Sequence, residues 1–173
     1  DALHIENCMQ LMDATIYGNS SIKSAFDIAL HDIVGQHSNT PIYKLLGGTV
    51  NKKLETDMTV SIGDPQKMRA DAIKFAEQGF SAIKVKLGEN KEKDVERIRA
   101  IRDGIGSSYP LRIDANQGWK TPDNAIAVLQ ALGEFGIEHC EEPISRHLFM
   151  DLARVSAASP IPIMADESCG DDH

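Results

Sequence analysis

Two lysines lie in an otherwise apolar segment of the chain, residues 80–87, with the sequence FSAIKVKL. Lys84 and Lys86 are two residues apart, so a β-strand would direct both ammonium groups to one face and the neighbouring aliphatic side chains to the other. A short apolar run of this kind is typical of a strand covered on both sides, where lysine is rare without a partner or a task. The pair is therefore a candidate for acid–base chemistry.

Acidic residues follow at the predicted carboxyl ends of the next three strands: Asp114, Glu141 and Asp166. One polar residue at a strand end is commonly just the first residue of a loop, but four charged residues in phase on consecutive strands indicate a shared site. Three carboxylates that converge on one point repel each other, so a divalent cation is the expected occupant. An all-oxygen ligand set favours Mg²⁺, allows Mn²⁺ and disfavours zinc.

A cation also gives the lysines a role. An ammonium group near Mg²⁺ and near a second ammonium is disfavoured in its charged form, which lowers its pKa toward the range of a general base. A base beside a metal is suited to removing a proton next to a carboxylate and holding the resulting enediolate. The residues therefore predict metal-assisted proton abstraction.

The elements that must position these residues alternate between strand and helix. Five strands are predicted, at residues 54–62, 80–87, 111–115, 137–141 and 161–165, and an amphipathic helix follows each of the first four. Asp64 and Pro65 are suited to the N-cap and first position of the first of these helices. This alternation predicts an α/β protein with a parallel sheet of right-handed units.

An open doubly wound sheet and a (β/α)₈ barrel both begin in this way. The sequence contains no GxGxxG motif after the first strand and no GxxxxGK[ST] motif, so neither a dinucleotide fold nor a P-loop is supported. Charged residues at consecutive strand ends favour the barrel, whose active site lies at that face.

The first 47 residues follow a helical pattern, with Ile22, Phe26 and Ile33 at helical spacing and Gly35 as the expected helix end. This piece is too short for a core of its own. We therefore interpret it as the end of a larger domain.

Composition restricts the partners. The formal net charge of -8 argues against a nucleic acid or an anionic membrane as the main partner. No signal peptide and no apolar run of roughly 18 residues is found, which predicts a cytoplasmic protein without a membrane segment. The three cysteines fit no disulfide or zinc pattern and are expected to be free thiols.

Four motifs together resemble the enolase superfamily, in its muconate-lactonizing enzyme subgroup: KVK at 84–86, DANQGW at 114–119, EEP at 141–143 and ADES at 165–168. Within the subgroup, LETDMTVSIGDP at 54–65 and KVKLG at 84–88 are most similar to dipeptide epimerases of the L-Ala-D/L-Glu type. The segment SIKSAFDIALHDIVG resembles the end of that family's capping domain. The resemblance implies that residues 1–50 are the C-terminal helical part of the capping domain and residues 51–173 the first five β/α units of a (β/α)₈ barrel.

The resemblance also assigns roles. It makes Lys86 an acid/base catalyst and Lys84 a neighbour that tunes charge and contacts the substrate carboxylate. The remaining residues are Asp114, Glu141 and Asp166 as Mg²⁺ ligands, Thr59 as a substrate-binding residue, and Asn116 as a support for the ligands or Lys86. Glu142 and Glu167 alternate to the opposite face, so they are expected to assist the ligands rather than to bind the metal themselves.

The predicted function is epimerisation of a small-molecule dipeptide through abstraction of the α-proton. Alternatives are an o-succinylbenzoate synthase or a muconate cycloisomerase, and, in another class, a non-catalytic fragment or interaction module. Members of the family have three more β/α units, so we expect a fragment of a longer enzyme that is incomplete alone. Its exposed strand edges favour a homo-oligomer.

Overall fold

The computed structural model describes residues 1–50 and 53–170. The chain divides into two compact units, Asp1–Lys53 and Leu54–His173, which are considered separately below.

The first unit is helical, as predicted. It contains α1 (Ile5–Thr15), α2 (Ser20–His37) and the short α3 (Ile42–Leu45). The expected helix end at Gly35 is wrong, because α2 continues to His37 and the chain turns at Asn39, which has a φ of 47°. Within residues 1–50 only Leu30 is buried, so this unit has little core of its own. None of the described helices combines the length and hydrophobicity needed to cross a membrane.

The second unit alternates strands and helices in the predicted order. Its strands are β1 (Met58–Val60), β2 (Ile83–Lys86), β3 (Leu111–Asp114), β4 (Cys140–Glu141) and β5 (Ile163–Met164). Its α-helices are α4 (Pro65–Glu77), α5 (Lys91–Ile105), α6 (Pro122–Leu132) and α7 (Leu152–Ala158). Short 3₁₀ helices at Gly133–Phe135 and Arg146–Asp151 follow α6 and precede α7. The strands form one parallel sheet in the order β1-β2-β3-β4-β5, which confirms the predicted α/β fold.

Each strand is shorter than the segment predicted for it. β4 and β5 contain two residues each, although backbone hydrogen bonds also join Glu138 to Leu111 (2.8 Å) and His139 to Ile113 (3.1 Å) just before β4. The predicted cap of α4 is confirmed: the Asp64 side chain accepts hydrogen bonds from the backbone N–H groups of Gln66 (2.9 Å) and Lys67 (3.1 Å).

The register of the sheet aligns the charged residues. Lys86 is opposite Asp114, and Asp114 is opposite Glu141, so three strands present these residues in one row at their carboxyl ends. Lys84 lies two residues before Lys86 on the same face of the sheet, between Thr59 of β1 and Arg112 of β3. The parallel register therefore brings together side chains that are far apart in sequence.

The opposite face of the sheet packs against the helices. Aliphatic residues of the strands, such as Ile83, Val85 and Ile113, are fully buried against a layer from α4–α7 that includes Met68, Ile98, Leu129 and Val155. This layer fixes the sheet, and with it the row of charged residues.

One buried charge in the helical layer has no acidic partner among the residues that the structure describes. The guanidinium group of Arg102 on α5 donates hydrogen bonds to four backbone carbonyls, those of Phe135 (2.8 Å), Gly106 (3.0 Å), Tyr109 (2.7 Å) and Gly136 (2.8 Å). Burial lowers the pKa of Arg102 from its ordinary value. These carbonyls belong to the loops that lead into β3 and β4, so Arg102 ties the amino ends of two strands to α5.

Replacing Arg102 by methionine should therefore destabilise the protein strongly. We expect the free energy of unfolding to fall by about 3–5 kcal/mol, since hydrogen bonds to a charged group contribute about 1.5–3 kcal/mol each and water replaces only some of them. Urea denaturation followed by circular dichroism measures the change. Arg99→Met is the control on the same helix, because Arg99 is exposed and lies 6.0 Å from the centre of the Phe135 ring, a contact expected to contribute about 0.5–1 kcal/mol. Equal losses in the two variants would contradict the role of the buried hydrogen bonds.

Candidate active site

The two lysines of β2 bind the carboxylates of the next two strands. Lys84 Nζ lies 2.8 Å from both carboxylate oxygens of Glu141 and 3.0 Å from Oδ2 of Asp114. Lys86 Nζ donates to Oδ2 of Asp114 and to Oδ1 of Asn116, both at 2.6 Å. Both predicted lysines and two of the three predicted ligands are thus in direct contact.

The two carboxylates respond differently to this environment. Burial opposes ionisation of Asp114, but hydrogen bonds from Lys86 and then Lys84 outweigh it and lower the pKa of Asp114 below its ordinary value. Burial raises the pKa of Glu141. Of the two lysines, only Lys84 donates hydrogen bonds to this carboxylate, which also lies against the Asp114 carboxylate. Two acidic groups this close cannot both be ionised freely, so the pair is suited to binding positive charge.

The carboxylates also affect Lys84. Burial disfavours its ammonium group, but the hydrogen bonds to Glu141 and Asp114 prevail and raise the pKa of Lys84 above its ordinary value. A nearby cation and the second lysine together predict a lower pKa for the lysines. The contacts within the protein act in the opposite direction, because Lys84 Nζ lies 2.8 Å from the Glu141 carboxylate and 3.0 Å from that of Asp114.

Asn116 connects the lysine to the loop after β3. It has a left-handed backbone (φ 41°), and its N–H donates to Oδ1 of Asp114 at 2.8 Å while its side chain accepts from Lys86. The side-chain nitrogen Nδ2 of Asn116 donates to Oε1 of Glu167 at 3.4 Å. This position fits the predicted support of Lys86.

Glu142 holds the segment that carries Asp166. It is fully buried, and its Oε2 atom accepts from the N–H of Asp166 (2.7 Å) and from the N–H (3.0 Å) and hydroxyl (2.9 Å) of Ser168. The placement of Asp166 at the end of the fifth strand is wrong, since β5 ends at Met164 and the exposed Asp166 lies in the following loop. Thr59 lies on β1 beside Lys84 in register, and it is also exposed.

The donors present fit a hard divalent cation. Across residues 1–50 and 53–170, no three His, Cys, Asp or Glu side chains lie close enough together to hold a metal, so the ligand set of Asp114, Glu141 and Asp166 stays a prediction. Asp114 and Glu141 nevertheless provide adjacent, buried carboxylate oxygens. In addition, Oε1 of Glu142 and Oε2 of Glu167 are buried without a hydrogen-bond partner among the described residues. The adjacent oxygens of Asp114 and Glu141 favour a cation with oxygen ligands.

Sequence reasoning missed a second buried network beside the site, formed by Asp94, Arg97 and Trp119. A signal was present: Asp94 falls in the same helical phase as the apolar residues Ile98, Ile101 and Ile105. A charged residue on the apolar stripe of a helix indicates a buried partner.

Comparison with known proteins identifies the family of both units. Residues 67–173 match the family described as "Enolase C-terminal domain-like". Residues 1–47 match "Mandelate racemase / muconate lactonizing enzyme, N-terminal domain". The two matches occur in the order that the sequence motifs indicated.

Several of the relatives are dipeptide epimerases. The chain is 57% identical over 159 residues to the D-Ala-D/L-Ala epimerase of Cytophaga hutchinsonii, a match that covers 92% of this chain and 43% of that protein. It is 45% identical over 159 residues to the L-Ala-D/L-Glu epimerase of Clostridium acetobutylicum, covering 91% of this chain and 44% of the relative.

A solved structure gives the same result. The crystal structure of the dipeptide epimerase from Cytophaga hutchinsonii, complexed with Mg and the dipeptide D-Ala-L-Val, superposes with a TM-score of 0.92 at 54% identity. The superposition covers 98% of this chain and 46% of that one. The chain thus spans less than half the length of the relatives it matches. It belongs to the mandelate racemase/muconate lactonizing enzyme family of the enolase superfamily.

Proposed function

We propose that the protein epimerises dipeptides by removing a proton from the carbon next to a carboxylate, with Mg²⁺ as its cofactor and Mn²⁺ as a substitute. The observation that carries the proposal is the contact of Lys86 and Lys84 with the adjacent carboxylates of Asp114 and Glu141. The printed activities of its relatives from Cytophaga hutchinsonii and Clostridium acetobutylicum support the substrate class.

Lys86 is the proposed base. Its Nζ takes the α-proton, and the electron pair of the broken C–H bond moves into the substrate's own carboxylate to give an enediolate. Return of a proton to the opposite face completes epimerisation, and we assign that step to a group outside residues 54–170. Lys84, on the same face of β2, is placed to contact the substrate carboxylate.

The remaining proposed roles concern binding. Asp114, Glu141 and Asp166 would hold the cation, which when bound offsets the second negative charge that develops on the substrate carboxylate. Asn116 keeps Lys86 in place, and Thr59 contacts the substrate. Glu142 and Glu167 orient the segments on either side, since Glu142 binds the backbone at Asp166 and Glu167 contacts Asn116. A homo-oligomer located in the cytoplasm stays a prediction.

The test is isotope exchange by the full-length protein in D₂O with Mg²⁺. We expect deuterium at an α-carbon of a dipeptide such as L-Ala-L-Glu or D-Ala-L-Ala, together with the epimer, by mass spectrometry and chiral chromatography. Muconate is the comparison substrate, because cycloisomerisation is the alternative within the family. Turnover of muconate without exchange in any member of a dipeptide library would contradict the proposal.

A further inference from the structure

Asp94 is a fully buried carboxylate on the first turn of α5, beside the proposed site. Its Oδ2 atom accepts hydrogen bonds from the N–H groups of Gly88 and Glu89, both at 3.1 Å, and from the indole N–H of Trp119 at 2.8 Å. Its Oδ1 atom accepts from Arg97 at 2.9 Å. One side chain therefore joins the loop after β2 to the loop after β3.

Arg97 extends this connection to a third loop. Its Nε donates to the carbonyl of Gly63, after β1, at 3.0 Å, and its Nη2 donates to Oε2 of Glu89 at 2.5 Å. The pair of Asp94 and Arg97 thus reaches the loops after three consecutive strands. All three loops lie at the carboxyl ends of the strands, where Lys86 and Asp114 are located.

Asp94 is not required to cap its own helix. The N-cap of α5 is Asn90, whose side chain accepts from the N–H of Lys93 at 3.1 Å. The hydrogen bonds that Asp94 accepts come from the loops and from Arg97 instead. Its burial therefore serves the position of the loops rather than the start of the helix.

The two loops also pack against each other without side chains between them. Gly88 has a φ of 116°, and a Cβ atom there would lie 2.5 Å from the carbonyl oxygen of Ala115. A Cβ atom at Gly118 would likewise clash with the backbone of Gly88. Lys86 precedes Gly88 by two residues and Asn116 lies in the loop after β3, so a shift between the loops changes the contact between Lys86 and Asn116.

We propose that Asp94 is a positioning residue for the reaction: by holding the Gly88 loop and Trp119 together, it fixes Lys86 against Asn116 and Asp114. This inference rests on the proposed role of Lys86 as the base. A small displacement of a reacting group lowers the rate even when every substrate contact remains. The reason is that the rate depends on the distance and alignment of the reacting atoms.

The kinetic test compares Asp94→Asn with a matched variant in the full-length protein. An amide at residue 94 must turn N–H groups toward either Arg97 or the loop donors, so part of the network breaks. We expect the kcat of α-proton exchange to fall at least about 10-fold, since misplacement of a reacting group by about 1 Å can cost about 100-fold. We expect KM to stay within about twofold, because no proposed substrate contact is lost.

Arg102→Lys is the control on the same helix, since it weakens buried hydrogen bonds at the opposite end of the sheet. It should lower the melting temperature but keep kcat at a temperature where both proteins are folded. Trp119→Phe removes only the indole donor and serves if Asp94→Asn does not fold; we expect a smaller loss of kcat in the same direction. An unchanged kcat in Asp94→Asn or in Trp119→Phe, or equal losses in Arg102→Lys, would overturn the inference.

A second readout separates this inference from the proposed function. The rate at which acetic anhydride modifies Lys86, measured by mass spectrometry, does not depend on catalysis. It should rise in Asp94→Asn and Trp119→Phe, relative to exposed lysines in the same protein, and stay unchanged in Arg102→Lys. A wild-type protein without proton exchange but with this labelling pattern contradicts the epimerase proposal and supports the positioning role. Proton exchange with no change in labelling contradicts the positioning role alone.

Discussion

Replacing Lys86 by methionine is expected to lower α-proton exchange in a dipeptide by about 10²- to 10⁴-fold, the range that a general base contributes. Methionine keeps an unbranched stem of similar length but cannot accept a proton. The loss should appear in kcat, because the group acts on the reacting C–H bond. Deuterium incorporation in D₂O, followed by mass spectrometry, measures it.

Two comparisons make this result specific. Lys67→Met on α4 should exchange protons at the wild-type rate, since the Lys67 side chain is 72% exposed and its ion pair with Asp71 is at the surface. Lys86→Met should still bind Mn²⁺, because both carboxylates of the pair remain. Full exchange activity in Lys86→Met would assign the base to another residue.

Asp114→Asn is expected to remove divalent cation binding. Asp114 is fully buried, lies opposite Glu141 in the sheet register and is the carboxylate that contacts both lysines, so no other carboxylate of the row can take its place. We expect the affinity for Mn²⁺ to fall by more than about 100-fold, since changes to groups that merely orient a metal ligand cost about 10- to 100-fold. Titration of Mn²⁺ followed by electron paramagnetic resonance measures free and bound ion directly.

Asp123→Asn is the matched control, because the Asp123 carboxylate on α6 is 79% exposed and should not affect Mn²⁺. This experiment also tests the alternative that the protein is a non-catalytic module. A folded wild-type protein that does not bind Mn²⁺ would favour that alternative. Unchanged affinity in Asp114→Asn would place the cation elsewhere.

The sequence was sufficient for the order of the elements in the second unit. Alternating apolar runs and helical stripes predicted five strands and the helices between them, because burial on both faces of a parallel sheet requires that pattern. It was insufficient for the strand ends. Only Ile137 and Cys140 are apolar within the predicted strand 137–141, and β4 contains only Cys140 and Glu141, since strand pairing depends on the neighbouring strands.

The site was predicted to a similar degree. Period-2 alternation placed Lys84 and Lys86 on one face, and the spacing of the units placed Asp114 and Glu141 beside them. Asp166 differs because it lies two residues beyond β5, in a loop whose path is set by hydrogen bonds to Glu142. Sequence periodicity carries no information about such a loop.

α5 brings two features of the fold together. Asp94, on its first turn, binds the loops that follow Lys86 and Asp114, and Arg102, two turns later, binds the loops at the other end of the sheet. Heat tolerance and turnover should therefore be separable along one helix. A deep mutational scan of residues 91–105 would then show a gradient, with growth-limiting loss of activity near Asp94 and temperature-sensitive variants near Arg102. Directed evolution could use the second end to gain thermal tolerance while leaving the catalytic rate unchanged.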